Sequence, residues 1–234
     1  MSTDIQGKVA VVTGAGRGIG RAVAIELGRL GAKVAVASRS RTELEETART
    51  IGNASAIPTD VRKKEDVHAM LEHVVATLGP IDILVNAAGL GIMNKLVDFK
   101  DEDFETVMET NLRAIFYTAR FVLPSMIQRK TGHIINIASI AGKVGSATRS
   151  VYCASKFGVV GFTESVAEEV RPYGIRVAVI CPGSTDTAFH AGATRDQASR
   201  MLSPFDVAYA VRMLVTQESN SFISEIVMRP TQKP

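Results

Sequence analysis

Two side chains whose types and spacing suit proton transfer lie at the start of an apolar segment. Tyr152 and Lys156 are four positions apart, a spacing that places both on one face of a helix, one turn apart. A phenol with an ordinary pKa of about 10 exchanges protons poorly at neutral pH, whereas a neighbouring ammonium favours the phenolate. The pair therefore predicts a lowered pKa for Tyr152 and a role for it as an acid or base. For the pair taken alone a solvated helix face is the better interpretation, so the prediction depends on its combination with the features below.

A hydroxyl that could assist this tyrosine follows a predicted strand. Ser139 comes directly after the apolar run His133–Ala138, and the carboxyl edge of a parallel sheet is where open α/β folds bind ligands. From that edge a hydroxyl can donate a hydrogen bond to a substrate oxygen. A serine that merely ends a strand is the alternative, so the prediction depends on Ser139 and Tyr152 lying together.

A glycine-rich turn separates the first predicted strand from the first predicted helix. It reads Thr13-Gly14-Ala15-Gly16-Arg17-Gly18-Ile19-Gly20. Glycines let the backbone turn tightly and approach a pyrophosphate, while the free N–H groups and positive dipole of the helix start attract its charge. In this strand, turn and helix context the motif predicts a dinucleotide site.

An arginine stands where a carboxylate would select NAD. An Asp or Glu at the end of the second strand holds the 2′-hydroxyl of the NAD ribose, but this chain has Ser38 and Arg39 there. A guanidinium can hold a 2′-phosphate through charge-assisted hydrogen bonds, and Arg17 can reach the same phosphate from the other side. The sequence therefore predicts NADP(H) as the cofactor, with two solvated surface arginines as the alternative.

Short apolar runs alternate with longer amphipathic segments, which is the rhythm of a parallel sheet with helices on both faces. The predicted strands are Lys8–Thr13, Lys33–Ser38, Ala54–Ile57, Ile81–Asn86, His133–Ala138, Arg176–Cys181 and Glu225–Met228. We expect an α/β fold in which residues 1–234 form one domain.

Three longer segments predict helices around these strands. Gly18–Leu30 has apolar residues at helical spacing. Asp101–Gln128 and Tyr152–Val170 are apolar on more than one face, which predicts either a subunit contact or a broad core face. Pro124 is expected to kink or end a helix. The polar segment Asp186–Ser203 predicts a loop or a short mobile helix near the site.

The composition excludes several classes of protein. Of 234 residues, 46% are hydrophobic and 22% are charged, and the formal net charge is only +3, so neither disorder nor a nucleic-acid partner is expected. Two cysteines indicate no disulfide framework and favour a reduced compartment. No secretory signal or apolar run of roughly 18 residues is recognised, so we expect a cytoplasmic protein without a membrane segment. The four histidines lack metal-ligand spacing, and no metal site is predicted.

Several sequence features follow one another in a fixed order between about Lys8 and Thr187. They are Thr-Gly-x-x-x-Gly-x-Gly from Thr13, Asn86-Ala87-Ala88-Gly89, Asn111, Ser139, Tyr-x-x-x-Lys from Tyr152, and Pro182-Gly183. This combination resembles the classical short-chain dehydrogenase/reductase family. The resemblance implies a three-layer, doubly wound Rossmann-like fold with a seven-stranded, mostly parallel sheet.

The resemblance also implies a role for each matched polar residue. Tyr152 corresponds to the general acid in reduction or base in oxidation, and Lys156 to the residue that lowers its pKa and binds the nicotinamide ribose. Ser139 corresponds to the residue that orients the substrate oxygen, and Asn111 to the one that holds a proton-relay water. Besides Tyr152 and Lys156, the expected cofactor contacts are Gly14, Arg17, Gly18, Ile19, Gly20, Ser38, Arg39, Asp60, Val61, Asn86, Ala88, Pro182, Gly183, Thr185 and Thr187.

The family resemblance says more about the type of reaction than about the identity of the substrate. Ala87 replaces one asparagine of the usual Asn-Asn-Ala-Gly, and the chain ends without the glycine-rich terminus of many tetrameric 3-oxoacyl carrier-protein reductases. A 3-oxoacyl thioester is the preferred prediction, with small ketones, hydroxy acids, sugars and polycyclic ketones as alternatives. Specificity is expected in Leu90–Val97 and Asp186–Ser203, where Leu90, Ile92 and Met93 indicate an apolar wall.

Two further expectations concern assembly and function class. The family and the two doubly apolar helices favour a homodimer or homotetramer. The alternative to an enzyme is a protein that binds and senses NADP(H) without catalysing a reaction. The presence of Ser139, Tyr152 and Lys156 together argues against it, because a binding module has no chemical need for all three.

Overall fold

A computed structural model describes residues 5–190, 192, 194–232 and 234 of the chain. Seven strands form one sheet in which every neighbouring pair is parallel, in the order β3-β2-β1-β4-β5-β6-β7. The strands are β1 Val9–Thr13, β2 Lys33–Ser38, β3 Ala54–Pro58, β4 Ile81–Asn86, β5 His133–Ile137, β6 Arg176–Pro182 and β7 Glu225–Met228. The predicted strands are thus confirmed to within one residue at each end.

Helices cover both faces of this sheet. They are α1 Gly18–Arg29, α2 Arg41–Ile51, α3 Lys64–Leu78, α4 Asp101–Met108, α5 Ala114–Arg129, α6 Ser150–Val170, α7 Arg195–Ser199 and α8 Pro204–Val215. Side chains of a strand alternate between faces, so Ala10 and Val12 pack towards α1, α2 and α8, while Val9 and Val11 pack towards α3, α5 and α6. The expected three-layer, doubly wound α/β fold is confirmed.

The strand order reverses between β1 and β4, because β1 continues to β2 and β3 on one side while β4 continues to β5, β6 and β7 on the other. In open parallel sheets a crevice forms outside the carboxyl ends of the strands at such a switch point. The buried strands β1, β2 and β4 read as apolar runs because both of their faces are covered. The fold therefore fixes where a ligand site can lie before any side chain is considered.

The segment predicted as one helix over Asp101–Gln128 is instead interrupted. A π-helical turn at Glu109–Arg113 separates α4 from α5. Pro124 does not end the helix, since α5 continues to Arg129. It lies on the exposed side of α5, where water can satisfy the carbonyl that loses its N–H partner.

The polar segment after β6 has some regular structure. A 3-10 turn occupies Ala188–His190, and α7 occupies Arg195–Ser199. A capping box from Thr194 and Gln197 supports this short helix. Residues 191 and 193, which belong to the predicted loop Asp186–Ser203, lie outside the described residues.

Candidate active site

An open cleft of about 1110 Å³ extends along the carboxyl edge of the sheet and is lined by residues that follow β1 to β6. Most of the predicted site residues line it. They are Gly14, Arg17, Gly18, Ile19, Gly20, Ser38, Arg39, Asp60, Val61, Ala88, Ser139, Tyr152, Lys156, Pro182, Gly183, Thr185 and Thr187. Asn86 and Asn111 do not line it and are considered separately below.

The glycine turn has the shape that a phosphate cradle requires. Gly14 has a φ of +68°, and a Cβ there would lie 2.7 Å from the Ala88 Cα, so a side chain would collide with the backbone after β4. Gly18 also has a positive φ, +55°, at the first residue of α1. The first turn of α1 contains no acidic residue, so its positive dipole and free N–H groups face the cleft without a competing carboxylate in that turn.

The adenosine end of the cleft, beyond β2, contains a buried polar atom that has no partner among the described residues. This atom is Ser38 Oγ, and burying a hydroxyl without a hydrogen bond is costly. Arg17 and Arg39 line the cleft beside it. A carboxylate further along this end, that of Asp60, is held by Arg62 at 2.6 Å, and this bond keeps the pKa of Asp60 below its usual range. An anion bound here would meet an unused hydroxyl, two guanidinium groups and the carboxylate of Glu43, which also lines the cleft.

The catalytic end of the cleft brings Ser139, Tyr152 and Lys156 together as predicted. Tyr152 is 8% exposed and Lys156 is 4% exposed. Ser139 caps a short 3-10 turn at the end of β5, where its Oγ accepts a bond from the N–H of Ala141 at 3.1 Å, and it lines the cleft together with Tyr152. The Lys156 ammonium lies 5.9 Å from the centroid of the Tyr152 ring.

The expectation that Lys156 lowers the pKa of Tyr152 is corrected by the structure. Burial raises the pKa of Tyr152 above its ordinary value, and the hydrogen bond from Ser139 and the charge of Arg149 only partly offset this effect. Lys156 is not among the groups that shift this pKa, and its Nζ donates a 2.9 Å hydrogen bond to the carbonyl of Ile137 at the end of β5. Complete burial lowers the pKa of Lys156 itself to about 8. Tyr152 therefore retains its proton at neutral pH.

Asn111 is fully buried in the π-helical turn and does not reach the cleft. Its amide donates to the Leu90 carbonyl at 2.9 Å and to Ser155 Oγ at 3.0 Å, and its oxygen accepts from the Leu90 N–H at 2.9 Å. Ser155 in turn donates to the carbonyl of Tyr152 at 2.7 Å. Asn111 thus joins the Leu90–Val97 loop to the helix that carries Tyr152.

The Asn86 side chain is also used inside the core. Its amide donates to Asn136 on β5 at 2.9 Å, and its oxygen accepts from Thr118 on α5 at 2.9 Å. Asn136 continues the network to Thr163 on α6 at 2.9 Å. This buried chain of polar groups ties two strands to two helices beneath the site. Of the predicted strand-end pair, only Ala88 reaches the cleft.

Three functional candidates were missed from sequence. Ser155 links Asn111 to the carbonyl of Tyr152, Arg149 lines the cleft beside Tyr152, and the Phe189 ring lies 5.6 Å from the Tyr152 ring. Arg149 had a usable signal, because residues three apart share a helix face. Phe189 had none, since its contact with Tyr152 is made across the fold.

Neither a metal-binding cluster nor a membrane-spanning helix is found in the described part of the chain. No group of three or more His, Cys, Asp or Glu side chains there is arranged to hold a metal ion. None of its helices is both long enough and apolar enough to cross a bilayer.

Comparisons with known proteins agree with this geometry. The family model of the short chain dehydrogenases matches residues 8–198. Uncharacterized oxidoreductases of Staphylococcus aureus and Staphylococcus saprophyticus are 36% identical over 230 residues and 38% identical over 232 residues, each match covering 97% of this chain and 99% of the relative. The crystal structure of a metagenomic short-chain oxidoreductase in complex with NADP is 38% identical, with a TM-score of 0.87 over 98% of this chain and 100% of that one. The chain belongs to the short-chain dehydrogenase/reductase family.

Proposed function

We propose that this protein is an NADP(H)-dependent oxidoreductase that reduces a carbonyl to a secondary alcohol, or runs the reverse reaction. The observation that carries the proposal is that Ser139 and Tyr152 lie together at one end of a cleft that has Arg17 and Arg39 at the other. One end of the cleft could transfer a proton to or from a substrate, and the other end could bind an anion. A dinucleotide bound along the cleft would connect the two.

The cofactor part of the proposal depends on how well the residues fit NADP(H). The glycine turn and the α1 N-terminus suit the pyrophosphate, and the unpartnered Ser38 Oγ with Arg17 and Arg39 suits a 2′-phosphate. The metagenomic relative that was crystallised with NADP supports the same choice. NADPH supplies the hydride when it is bound.

The residues of the chain supply the proton and the electrostatics. Ser139 and Tyr152 can both donate hydrogen bonds to a substrate oxygen, which stabilises the negative charge that develops there. Because the raised pKa of Tyr152 keeps its proton in place at neutral pH, the group suits the general acid of a reduction. Lys156 lines the same end of the cleft, where its ammonium suits the hydroxyl groups of the nicotinamide ribose.

For the substrate we propose a 3-oxoacyl thioester. Apolar side chains that are at least one-third exposed flank the catalytic end, namely Met93, Val144 and Phe189, and they suit an acyl chain. Arg149, exposed beside Tyr152 with no ion pair among the described residues, suits an anionic group carried by the same substrate. Small ketones and hydroxy acids lack either the chain or the charge.

The experiment that tests this function measures oxidation of NADPH and NADH at neutral pH against acetoacetyl thioesters, small ketones, diketones and sugars. We expect turnover with NADPH, fastest with the thioester. Tyr152→Phe should reduce kcat by at least about a hundredfold, because it removes the general acid. Binding of NADPH without turnover of any carbonyl, or of the matching alcohols with NADP, would refute the proposed reaction and favour a sensor.

We also propose that the protein forms a homodimer or homotetramer in the cytoplasm, where its two free cysteines would stay reduced. Phe104 on α4, Phe116 on α5 and Phe157 on α6 are each more than 40% exposed, and α4 and α6 are in contact. Large exposed aromatic side chains on neighbouring helices are typical of a protein interface. Light scattering should show a dimer or larger species that Phe157→Glu dissociates; a monomeric native protein would refute the assembly.

A further inference from the structure

Glu43 stands where a helix-capping glutamate is expected, yet its carboxylate is used elsewhere. Ser40 caps α2 by accepting the Glu43 N–H at 3.4 Å. A Glu three residues after a serine cap normally reaches back to the backbone N–H of that serine, as Asp206 does at the start of α8. No such return bond is made by Glu43 among the described residues, and Glu43 lines the cleft instead. The side chain is therefore directed towards the adenosine end of the cofactor site.

The position of this carboxylate is defined by the glycine turn. A Cβ built on Gly16 would lie 2.8 Å from Glu43 Oε2 and 2.9 Å from Ser38 Oγ, so both oxygens face the same glycine. Thr47, fully buried on α2, holds the helix against this turn through a 3.1 Å bond to the Ala15 carbonyl. Only a residue without a side chain at position 16 leaves room for the carboxylate here.

The partner of Glu43 is an arginine that the 2′-phosphate would also use. Arg17 Nη1 lies 4.0 Å from Glu43 Oε1, and the two side chains are 68% and 40% exposed. An exposed ion pair at this distance contributes little to stability, so it can exchange for a stronger partner. A phosphate dianion bound to Arg17 and Ser38 would then lie close to an unpaired carboxylate and be repelled by it.

The Glu43 carboxylate could also bind a ribose that carries no 2′-phosphate. A 2′-hydroxyl can donate a charge-assisted hydrogen bond to a carboxylate, which is how acidic residues select NAD. We infer that Glu43 is the residue that sets the ratio of NADP(H) to NAD(H) affinity, by accepting the 2′-hydroxyl of NAD(H) and weakening the binding of the 2′-phosphate. The inference rests on the proposed function and makes the protein able to bind both cofactors, with Arg17, Arg39 and Ser38 favouring the phosphate.

The test uses the full chain and measures dissociation constants, not turnover. Binding of NADPH, NADH and the nicotinamide-free fragments 2′,5′-ADP and 5′-AMP is measured by calorimetry for the native protein, Glu43→Gln and Glu46→Gln. Glutamine keeps the size of the side chain but removes its charge. Glu46 is a matched control on the same helix, since it pairs with Arg21 at 2.9 Å and does not line the cleft.

We expect Glu43→Gln to bind NADPH and 2′,5′-ADP about fivefold more tightly and NADH and 5′-AMP about fivefold more weakly, because one repulsion and one charge-assisted hydrogen bond are lost. Glu46→Gln should leave all four constants unchanged. Equal effects on phosphorylated and unphosphorylated ligands, or no effect, would overturn the role of Glu43 while leaving the proposed function intact. Failure of the native protein to bind NADPH and 2′,5′-ADP would overturn the proposed function together with this inference.

Discussion

Replacing Lys156 by methionine should stabilise the fold at neutral pH while it abolishes activity. Lys156 is buried, and burial lowers its pKa from 10.5 to about 8. At about 1.4 kcal/mol for each factor of ten, this difference corresponds to roughly 3 kcal/mol of unfavourable free energy for keeping the ammonium buried. Methionine fills nearly the same volume with an apolar chain and removes that cost.

The gain is reduced by the hydrogen bond that Lys156 gives to the Ile137 carbonyl at 2.9 Å. Leaving a buried carbonyl without this donor costs about 1–2 kcal/mol. The net expectation at pH 7 is therefore that Lys156→Met is about 1–2 kcal/mol more stable than the native protein. In a chain of this size that corresponds to a rise in Tm of roughly 2–8 °C.

The sign of the effect should depend on pH. Between about 8 and 10.5 the unfolded chain binds the lysine proton more tightly than the folded one, so the stability of the native protein rises with pH through this window. The cost is present in full below pH 8 and is gone above pH 10.5, where only the lost hydrogen bond remains. The variant should therefore change from more stable to less stable as the pH rises.

Urea unfolding of the native protein and the variant at several pH values from 7 to 11 measures this difference directly. Subtracting the two curves cancels groups that titrate in the same range without interacting with Lys156. Cys181, whose pKa burial raises to about 11, interacts electrostatically with Lys156 and is not cancelled. Lys143→Met is the matched control, because Lys143 is partly exposed and paired with Glu225 at 2.7 Å. It should not stabilise the protein. A Lys156→Met protein that is less stable at pH 7, with no change in the difference above pH 8, would refute this account of the buried charge.

Three further predictions concern other buried or cleft side chains. Burial lowers the pKa of His133 from 6.5 to about 4, so the native protein should lose about 3 kcal/mol of stability as the pH falls between these two values. In acid unfolding curves His133→Asn should remove this loss of stability. The control His73→Asn, at an exposed site, should still show the loss. Asn86→Ala should lower the free energy of unfolding in urea by about 2–3 kcal/mol, because the buried partners of Asn86 lose their hydrogen bonds. The Kd for NADPH should not change, and an altered Kd would contradict the placement of Asn86 in the core. Arg149→Gln should raise KM for an anionic thioester about tenfold with little change for a neutral ketone; equal effects on both would exclude an anion contact.

Local patterns in the sequence were enough to predict most of the framework. Strand positions followed from apolar runs, because strands buried on both faces tolerate little else. The glycine turn and the spacing of Tyr152 and Lys156 were equally readable, since a turn between a strand and a helix and a separation of four residues fix local geometry regardless of what surrounds them. The family, the parallel sheet and the catalytic cleft followed from these features.

What the sequence did not show depends on contacts between residues far apart in the chain. Asn86 and Asn111 match family positions, yet their side chains are hydrogen-bonded to buried residues on other elements, such as Asn136 and Ser155. Spacing suggested that Lys156 would lower the pKa of Tyr152, whereas burial, which no local pattern records, raises it. Glu43 lies beside the glycine turn only because α2 packs against that turn in the folded chain. Local sequence fixed the backbone framework, and tertiary packing decided which polar atoms stay available for function, because burial and hydrogen-bond partners are properties of the folded chain alone.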